Sequence, residues 1–399
     1  MKLDIPNQPI SVIQRLESMG HTAYLAGGCV RDMLLGVIPN DYDVATSAHP
    51  QEVMGAFACC KVIPTGLKHG TVTVQYEGCN IEITTFRCDG LYTDHRHPSG
   101  VMFSHSAKED SKRRDFTVNA MYCTSDGEIL DFHNGKGDLQ NGIIRCVGNA
   151  KQRFQEDALR ILRALRFAAR LGFEIDEETA CAMKDCAHLL KHIAAERVLA
   201  ELNGFFSCSK SAELCSEYIS VFKALFGVSK CSVEELRALA YIRNEFRLAV
   251  FIALYGGADG AHSLMKALKA DKGKETQLCA ATDALYTNAL SNEESIAMTV
   301  NKYGVQLYEC MLEAAILMSR TVCDKAHDIM IGLKDGTIPE TVQKLSVNGT
   351  ELKDKCGLEG AKLGAAMKTL FIKVYCGLPN EKEALLHAAK EYIIDNERE

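Results

Sequence analysis

This chain has no C-x-x-C pair, no long apolar run and no surplus of basic residues. Each absence removes a class of answer. Its 17 cysteines are scattered and odd in number, so neither a disulfide framework nor a zinc ribbon is suggested; they read as reduced thiols, mostly small buried hydrophobes. No apolar stretch approaches the roughly 20 residues of a membrane span, and residues 1–14 lack a basic-then-apolar leader pattern. The expectation is a soluble, cytoplasmic protein with no membrane partner. Lys and Arg number 45 against 52 Asp and Glu, a net charge of −7, which does not advertise a nucleic-acid binder. A whole-chain balance averages over domains, however, and hides a local basic groove. Apolar substance is not lacking: 47% of the 399 residues are hydrophobic, and single cores rarely grow beyond about 250–300 residues. Two or three globular domains are expected.

The chain is organised around residues 24–46. Tyr24, Leu25 and Ala26 form a short apolar strand running into Gly27 and Gly28, where missing side chains let backbone N–H groups approach an anion such as a phosphate. Helical spacing follows over 30–35, with Arg31 and Asp32 near its start and Gly36 and Pro39 closing it. Then comes Asn40-Asp41-Tyr42-Asp43-Val44. In an extended strand residues i and i+2 share a face, so Asp41 and Asp43 present two carboxylates side by side. They repel unless a cation joins them. Oxygen ligands of this kind suit Mg²⁺, which takes one or two carboxylates and completes its shell with water and substrate phosphates. Alone, a Gly-Gly pair is an ordinary turn and an Asp-x-Asp an ordinary solvated loop. The two within one helix length are not expected from turn chemistry and point to a phosphoryl-transfer metal site.

Around this unit, residues 1–22 have helical spacing through Ile10, Val12, Ile13, Leu16 and Met19. Ser47 is placed to cap a helix over 50–57, and 64–70 reads as a turn-rich link. The runs 71–76 and 80–86 alternate with period two about Glu77-Gly78 and predict a hairpin. On its second strand Glu82 faces away from Ile81 and Ile83; it is either an exposed strand glutamate or a third carboxylate beside Asp41 and Asp43. From 89 to 110 the composition turns polar and aperiodic, predicting a long mobile loop. His95, His97 and His105 within it lack the tight, supported spacing of a zinc site. Next, Lys112-Arg113-Arg114-Asp115-Phe116-Thr117-Val118-Asn119-Ala120 joins three cations to an acid, a hydroxyl and an amide. Guanidinium groups bind triphosphate oxygens bidentately; the alternative is a solvated basic helix start. Short strands near 129–132 and 143–147 complete a first domain.

From about 150 the 3.6-residue period dominates, predicting helices over 150–171, 177–189, 193–206, 212–226 and 232–256 and more beyond. In Glu156-Asp157-Ala158-Leu159-Arg160-Ile161-Leu162-Arg163-Ala164-Leu165-Arg166-Phe167, the residues Asp157, Arg160 and Arg163 are spaced by three and are expected on one helix face. An Asp and an Arg side by side offer acceptors and donors for the Watson–Crick edge of a base. The plainer alternative is an i, i+3 salt bridge worth a few tenths of a kcal/mol.

Taken together, the stretch 25–32 with Asp41-Tyr42-Asp43, the segment 113–120, and 156–167 resemble the class II tRNA nucleotidyltransferases, the CCA-adding enzymes and their relatives the bacterial poly(A) polymerases. A weaker likeness covers 193–202 with Glu196, Arg197 and Glu201, and a looser one Val347-Asn348-Gly349 and Gly377-Leu378-Pro379-Asn380. One departure is Asp131-Phe132-His133-Asn134-Gly135, where many members have a proline and a second glycine; it puts the local turn in question.

The resemblance implies an α+β catalytic head over 1–148, with a mixed nucleotidyltransferase sheet and helices, a helical neck over 149–206 and an all-α body and tail over 207–399. It implies Asp41, Asp43 and Glu82 as the catalytic acids, with two Mg²⁺ ions about 3.5–4 Å apart on Asp41 and Asp43. The nucleotide site it implies comprises Gly27, Gly28, Arg31, Asp32, Arg114, Asp115, Asn119, Asp157, Arg160, Arg163 and Arg166. In it Gly28, Arg31 and Arg114 hold the triphosphate, Asp115 and Asn119 position the sugar, and Asp157 and Arg160 read cytosine or adenine in place of a template. The substrates the resemblance implies are CTP and ATP, and the partner it implies is tRNA, held at acceptor stem and elbow without reading sequence.

The full-length 89–110 segment favours complete CCA addition over CC addition, because CC-adding relatives shorten it. The runner-up, a poly(A) polymerase, tends to carry extra basic sequence, and residues 380–399 are mixed in charge. A phosphohydrolase reading rests on His327-Asp328 alone; beside it, only His262 and His387 offer imidazole over residues 207–399. A non-catalytic RNA-binding relative has no use for paired metal acids.

Overall fold

The computed structural model describes residues 2–89 and 101–396; His95 and His97 lie outside them. The chain divides into two compact units, Met1–Gly227 and Val228–Glu399.

The first unit begins with α1 (Asn7–Ser18), β1 (Ala23–Ala26), α2 (Gly28–Leu34), β2 (Tyr42–Thr46), α3 (Pro50–Ala56), β3 (Lys61–Gly66), β4 (Thr71–Tyr76) and β5 (Cys79–Thr85). It continues with β6 (Arg87–Asp89), β7 (Val101–Phe103), α4 (Ala107–Lys112), β8 (Met121–Cys123), β9 (Ile129–Asp131), α5 (Gly135–Asn141) and β10 (Ile143–Ile144). Helices α6 (Ala150–Glu156), α7 (Leu159–Leu171), α8 (Glu177–Cys186) and α9 (Ala195–Phe206) follow, with β11 (Glu174–Ile175) between α7 and α8. The seven-stranded sheet has the order β3-β4-β5-β2-β1-β8-β9. Its β2–β5 seam is parallel, whereas the other neighbours pair antiparallel. That seam sets Asp43 directly against Glu82. Val44, Ile81 and Ile83 turn into the core, which leaves the alternate residues Asp43 and Glu82 exposed on the other face.

The hairpin turn falls on Glu77 and Gly78, both at positive φ (47° and 83°), the conformation of a two-residue primed turn. Elsewhere tertiary pairing overrides the local pattern. The expected link over 64–70 begins as the edge strand β3, where Val62 and Ile63 pair with Val74 and Thr73; Pro64 is tolerated because an edge strand spares one N–H. Part of the expected loop over 89–110 is ordered: β6 pairs with β7, and Ser106 caps α4 by accepting from the Glu109 N–H. His105 is exposed. Ser47 does not cap α3, because its hydroxyl accepts from the Thr22 N–H at 2.9 Å; the cap position belongs to His49. At the unusual 131–135 turn the Asp131 carboxylate gathers the N–H groups of His133, Gly135 and Lys136 at 2.9–3.1 Å, while Asn134 takes φ 59°. The expected single helix over 150–171 breaks at Asp157 (φ −144°, ψ 100°), and that over 212–226 divides into Ser211–Glu217 and Ile219–Phe226.

Every described element of the second unit is helical. Asn244–Ala267 is by length and composition apolar enough to cross a membrane, although no continuous run in the sequence suggests it. It is mostly buried in this unit, packs on Lys272–Tyr286, and departs from helical geometry at Gly257 (φ 66°). The expected helix over 232–256 is thus Val233–Ala238, a short turn and the start of this core helix. In the tail, the Ser346 N–H, just before the Val347-Asn348-Gly349 stretch, donates to Asn380 Oδ1 at 2.9 Å.

Candidate active site

A cavity of about 640 Å³ opens in the first unit. Among the described residues, nine arginines line it (Arg31, Arg87, Arg113, Arg114, Arg160, Arg163, Arg166, Arg170 and Arg197) against four carboxylates, Asp43, Glu82, Asp115 and Asp157. A chain of net charge −7 therefore contains a strongly cationic cleft, suited to a polyanion.

The sheet supplies one wall. Partial desolvation of the carboxyl in the open cleft, then the facing Glu82, push Asp43 up to about 6, with Asp41 adding to the rise and Arg114 opposing it. Asp41 itself precedes β2, is exposed and is not among the lining side chains. No group of three or more His, Cys, Asp and Glu side chains among the described residues is gathered tightly enough to hold a metal ion. Magnesium does not ask for such a cage. It binds through one or two carboxylates plus substrate phosphates, and mutually repelling Asp41 and Asp43 are a donor set that fits it.

The opposite wall is a chain of charged groups. Gly27, at φ 79°, turns β1 into α2 and lies under Arg114: a Cβ there would stand 2.9 Å from Arg114 Nη1. Any side chain at 27 collides with that guanidinium. Arg31, 2% exposed, donates to Asp32 at 2.6 and 2.8 Å and to Asn119 Oδ1 at 2.5 Å. Asn119 in turn donates to Asp115, which accepts from Arg163 at 2.6 and 2.9 Å. Burial works to raise Asp115, but the Arg163 guanidinium overrides it and holds the carboxyl below the ordinary range. Arg166 closes the row on Glu201 at 2.5 Å. Asp32 stands behind Arg31, does not line the cavity, and also meets Arg170 at 3.5 Å.

The break at Asp157 changes the expected helix face. Asp157 sits before α7, where its carboxylate accepts from the Leu159 N–H at 3.1 Å and pairs with Arg197 at 2.8 Å. Arg160 binds Glu156 at 2.9 Å and the Arg113 carbonyl at 3.0 Å. Neither the expected shared face nor the i, i+3 ion pair forms, because the extended Asp157 backbone swings its carboxylate towards α9. Both residues still line the cavity.

Sequence reading passed over the residue at the centre of the arginine cluster. Asp110, with no exposed surface, accepts from Arg113 Nε at 2.8 Å, Arg114 at 3.2 Å, the Tyr122 hydroxyl at 2.7 Å and the Arg87 N–H at 3.2 Å. Burial acts to raise its pKa; Arg113 and Arg114 more than offset that and lower it. Its i+3 and i+4 spacing to two arginines on a short helix was the available signal. Arg197 stands in the sequence only within a weak likeness, and its pairing with Asp157 is invisible there.

A family model described as the Poly A polymerase head domain matches residues 23–145, and one described as the probable RNA and SrmB- binding site of polymerase A matches 172–216. The chain is 34% identical to the CCA-adding enzyme of Levilactobacillus brevis over 401 residues, covering 95% of this chain and 96% of that one. It is 35% identical to that of Streptococcus sanguinis over 390 residues, 95% of each. A stronger likeness, 50% over 191 residues, takes in 48% of this chain and 48% of the Bacillus cytotoxicus CCA-adding enzyme. Among solved structures, the Bacillus stearothermophilus CCA-adding enzyme in complex with CTP matches at TM-score 0.77 and 29% identity over 98% of both chains. The Thermotoga maritima CCA-adding enzyme complexed with tRNA shares the fold at TM-score 0.70 and 19% identity, over 96% of this chain and 94% of that one.

Proposed function

The chain belongs to the CCA-adding enzyme family, and from that premise we propose that it completes tRNA 3′ ends from CTP and ATP, releasing pyrophosphate, in the arginine-lined cleft beside the β2–β5 seam. One observation carries the reading: Asp43 and Glu82, paired in register, face a cavity in whose remaining lining arginines far outnumber the carboxylates Asp115 and Asp157.

Arg114, held by Asp110 and Tyr122, and Arg31, held by Asp32 and Asn119, bind the triphosphate. Their charges also meet the negative charge that grows on the leaving pyrophosphate. Asn119, locked between Arg31 and Asp115, positions the sugar. Asp157 and Arg160 present an acceptor and donors to the base edge, and Arg163 and Arg166 support them or reach phosphate. With no nucleic-acid template, an unmatched base leaves buried polar groups unpaired, and that penalty is the selection. Asp41 and Asp43 would hold Mg²⁺, with Glu82 beside them as a third acid; the chemistry such an ion would supply there is a lowered pKa at the tRNA 3′-hydroxyl and charge stabilisation of the pyrophosphate. The head ends near residue 148, the neck near 206, and the helical remainder holds the acceptor stem and elbow through phosphate contacts.

Purified protein with Mg²⁺ and a tRNA lacking CCA is expected to stop at two added residues with CTP and at three with CTP and ATP, on a gel resolving single nucleotides. Long ladders with ATP alone would make it a poly(A) polymerase. Asp157→Ala is expected to cost about 10- to 100-fold in discrimination for CTP and ATP over UTP and GTP, measured in single-turnover incorporation; unchanged discrimination would remove Asp157 from base reading. Because Asp43 must be ionised to bind a cation, Mg²⁺ affinity measured calorimetrically is expected to fall about tenfold per pH unit below 6. A flat profile from pH 7 to 5 would contradict the assignment.

A further inference from the structure

Phe167 has no hydrogen-bonding group, yet three guanidinium groups converge on it. Arg31 and Arg163 lie 5.3 Å and Arg166 lies 4.6 Å from its ring centroid. All four side chains line the cavity, while the ring is only 6% exposed and is met by Phe116 at 5.8 Å, tilted by 75°. Three like charges around one point repel. Asp32 pairs with Arg31, Asp115 with Arg163, and Glu201 with both Arg163 and Arg166; none of these carboxylates reaches all three arginines, whereas the aromatic ring does. A carboxylate at 167 would gather them equally well but would cancel a positive charge that a triphosphate needs. An aliphatic side chain would fill the space and attract nothing. A benzene ring attracts guanidinium through its quadrupole and adds no net charge. A second feature guards the same arrangement: a Cβ on Gly204 of α9 would stand 2.6 Å from Arg166 Cδ, so this helix is left bare where Arg166 passes.

We propose that Phe167 is a positioning residue for nucleotide binding, the ring that holds Arg31, Arg163 and Arg166 together at undiminished charge. The inference rests on the reading above that these arginines hold the nucleotide. It acts on CTP and ATP alike, because the ring addresses the arginines and neither base.

The test is to place mono-, di- and trifluorophenylalanine at position 167 of the full chain, which weakens the ring face in steps at nearly constant shape. KM for both CTP and ATP is expected to rise in step with fluorination, about 3- to 10-fold across the series, with kcat and thermal melting little changed. Phe167→Leu is expected to match or exceed the trifluoro value. A KM that stays flat along the series while the protein melts normally would overturn the proposal, since a merely space-filling Phe167 predicts that result. Arg31→Ala, run in parallel, separates the two layers: if KM rises there and the fluorinated series stays flat, Phe167 alone is wrong. If Arg31→Ala leaves KM unchanged, the nucleotide assignment of the arginines fails, and the proposal with it.

Discussion

Asp43→Asn is expected to abolish nucleotide addition while making the metal-free protein more stable. The first half follows from charge: the metal site proposed on this strand would supply several kcal/mol to the transition state, so kcat is expected to fall about 10³-fold or more. The second half follows from the raised carboxyl. Asp43 moves from 3.8 to about 6 in the folded chain, so between those values the folded protein holds a proton that the unfolded chain has released. Stability therefore falls as pH rises through that window, and the deficit is complete above about 6. Since Asp43 is exposed in the cleft, solvent screening reduces the deficit to about 1 kcal/mol, or roughly 2–4 °C in melting temperature. Melting in chelator at pH 7.5 and again at pH 4 tests both signs. The Asn variant is expected to melt higher at pH 7.5 and level with the wild type at pH 4. A variant that keeps its activity, or melts lower at pH 7.5, contradicts the assignment.

Asp110→Ala is expected to produce the largest loss of stability among single substitutions in the first unit. Its carboxylate is buried and accepts from two guanidinium groups, a phenol and a backbone N–H. Removing it strands Arg113 and Arg114 in a space whose desolvation they no longer offset, a cost of about 3–5 kcal/mol and on the order of 10 °C in melting temperature. The linkage here has the opposite sign from Asp43. A depressed carboxyl contributes stability that is present above the ordinary value of 3.8 and is lost as pH falls through the lower folded-state pKa. Acid unfolding of the wild type is thus expected to begin below about pH 4, and the Ala variant to lack that contribution. A loss under 1 kcal/mol would mean that solvent or a neighbouring group satisfies the two arginines, and that Asp110 does not organise them.

The two substitutions separate chemistry from scaffold. Asp43 sits where charge is concentrated at a cost in stability, whereas Asp110 sits where charge is fully paired and supports the fold.

The sequence by itself determined the parts that depend on local rules. Period-two alternation about Glu77-Gly78 dictated the hairpin, and with it the face on which Glu82 stands. The turn at Gly27-Gly28, the helix after it and the strand carrying Asp43 form the one supersecondary unit that their spacing predicts, although Asp41 precedes that strand. The 3.6-residue period separated the helical half. Only the tertiary structure decided the pairings between distant segments. The parallel β2–β5 seam sets Asp43 against Glu82, Arg197 on α9 takes Asp157 away from Arg160, and Asp110 binds Arg113, Arg114, Tyr122 and Arg87. Phe167 likewise read as one apolar position on a helix until Arg31 came to rest over it. The reason is physical. Periodicity reports which face of an element is buried, but an ion pair or a cation over a ring forms wherever packing brings two side chains together, and neither partner's neighbours in the chain record the other.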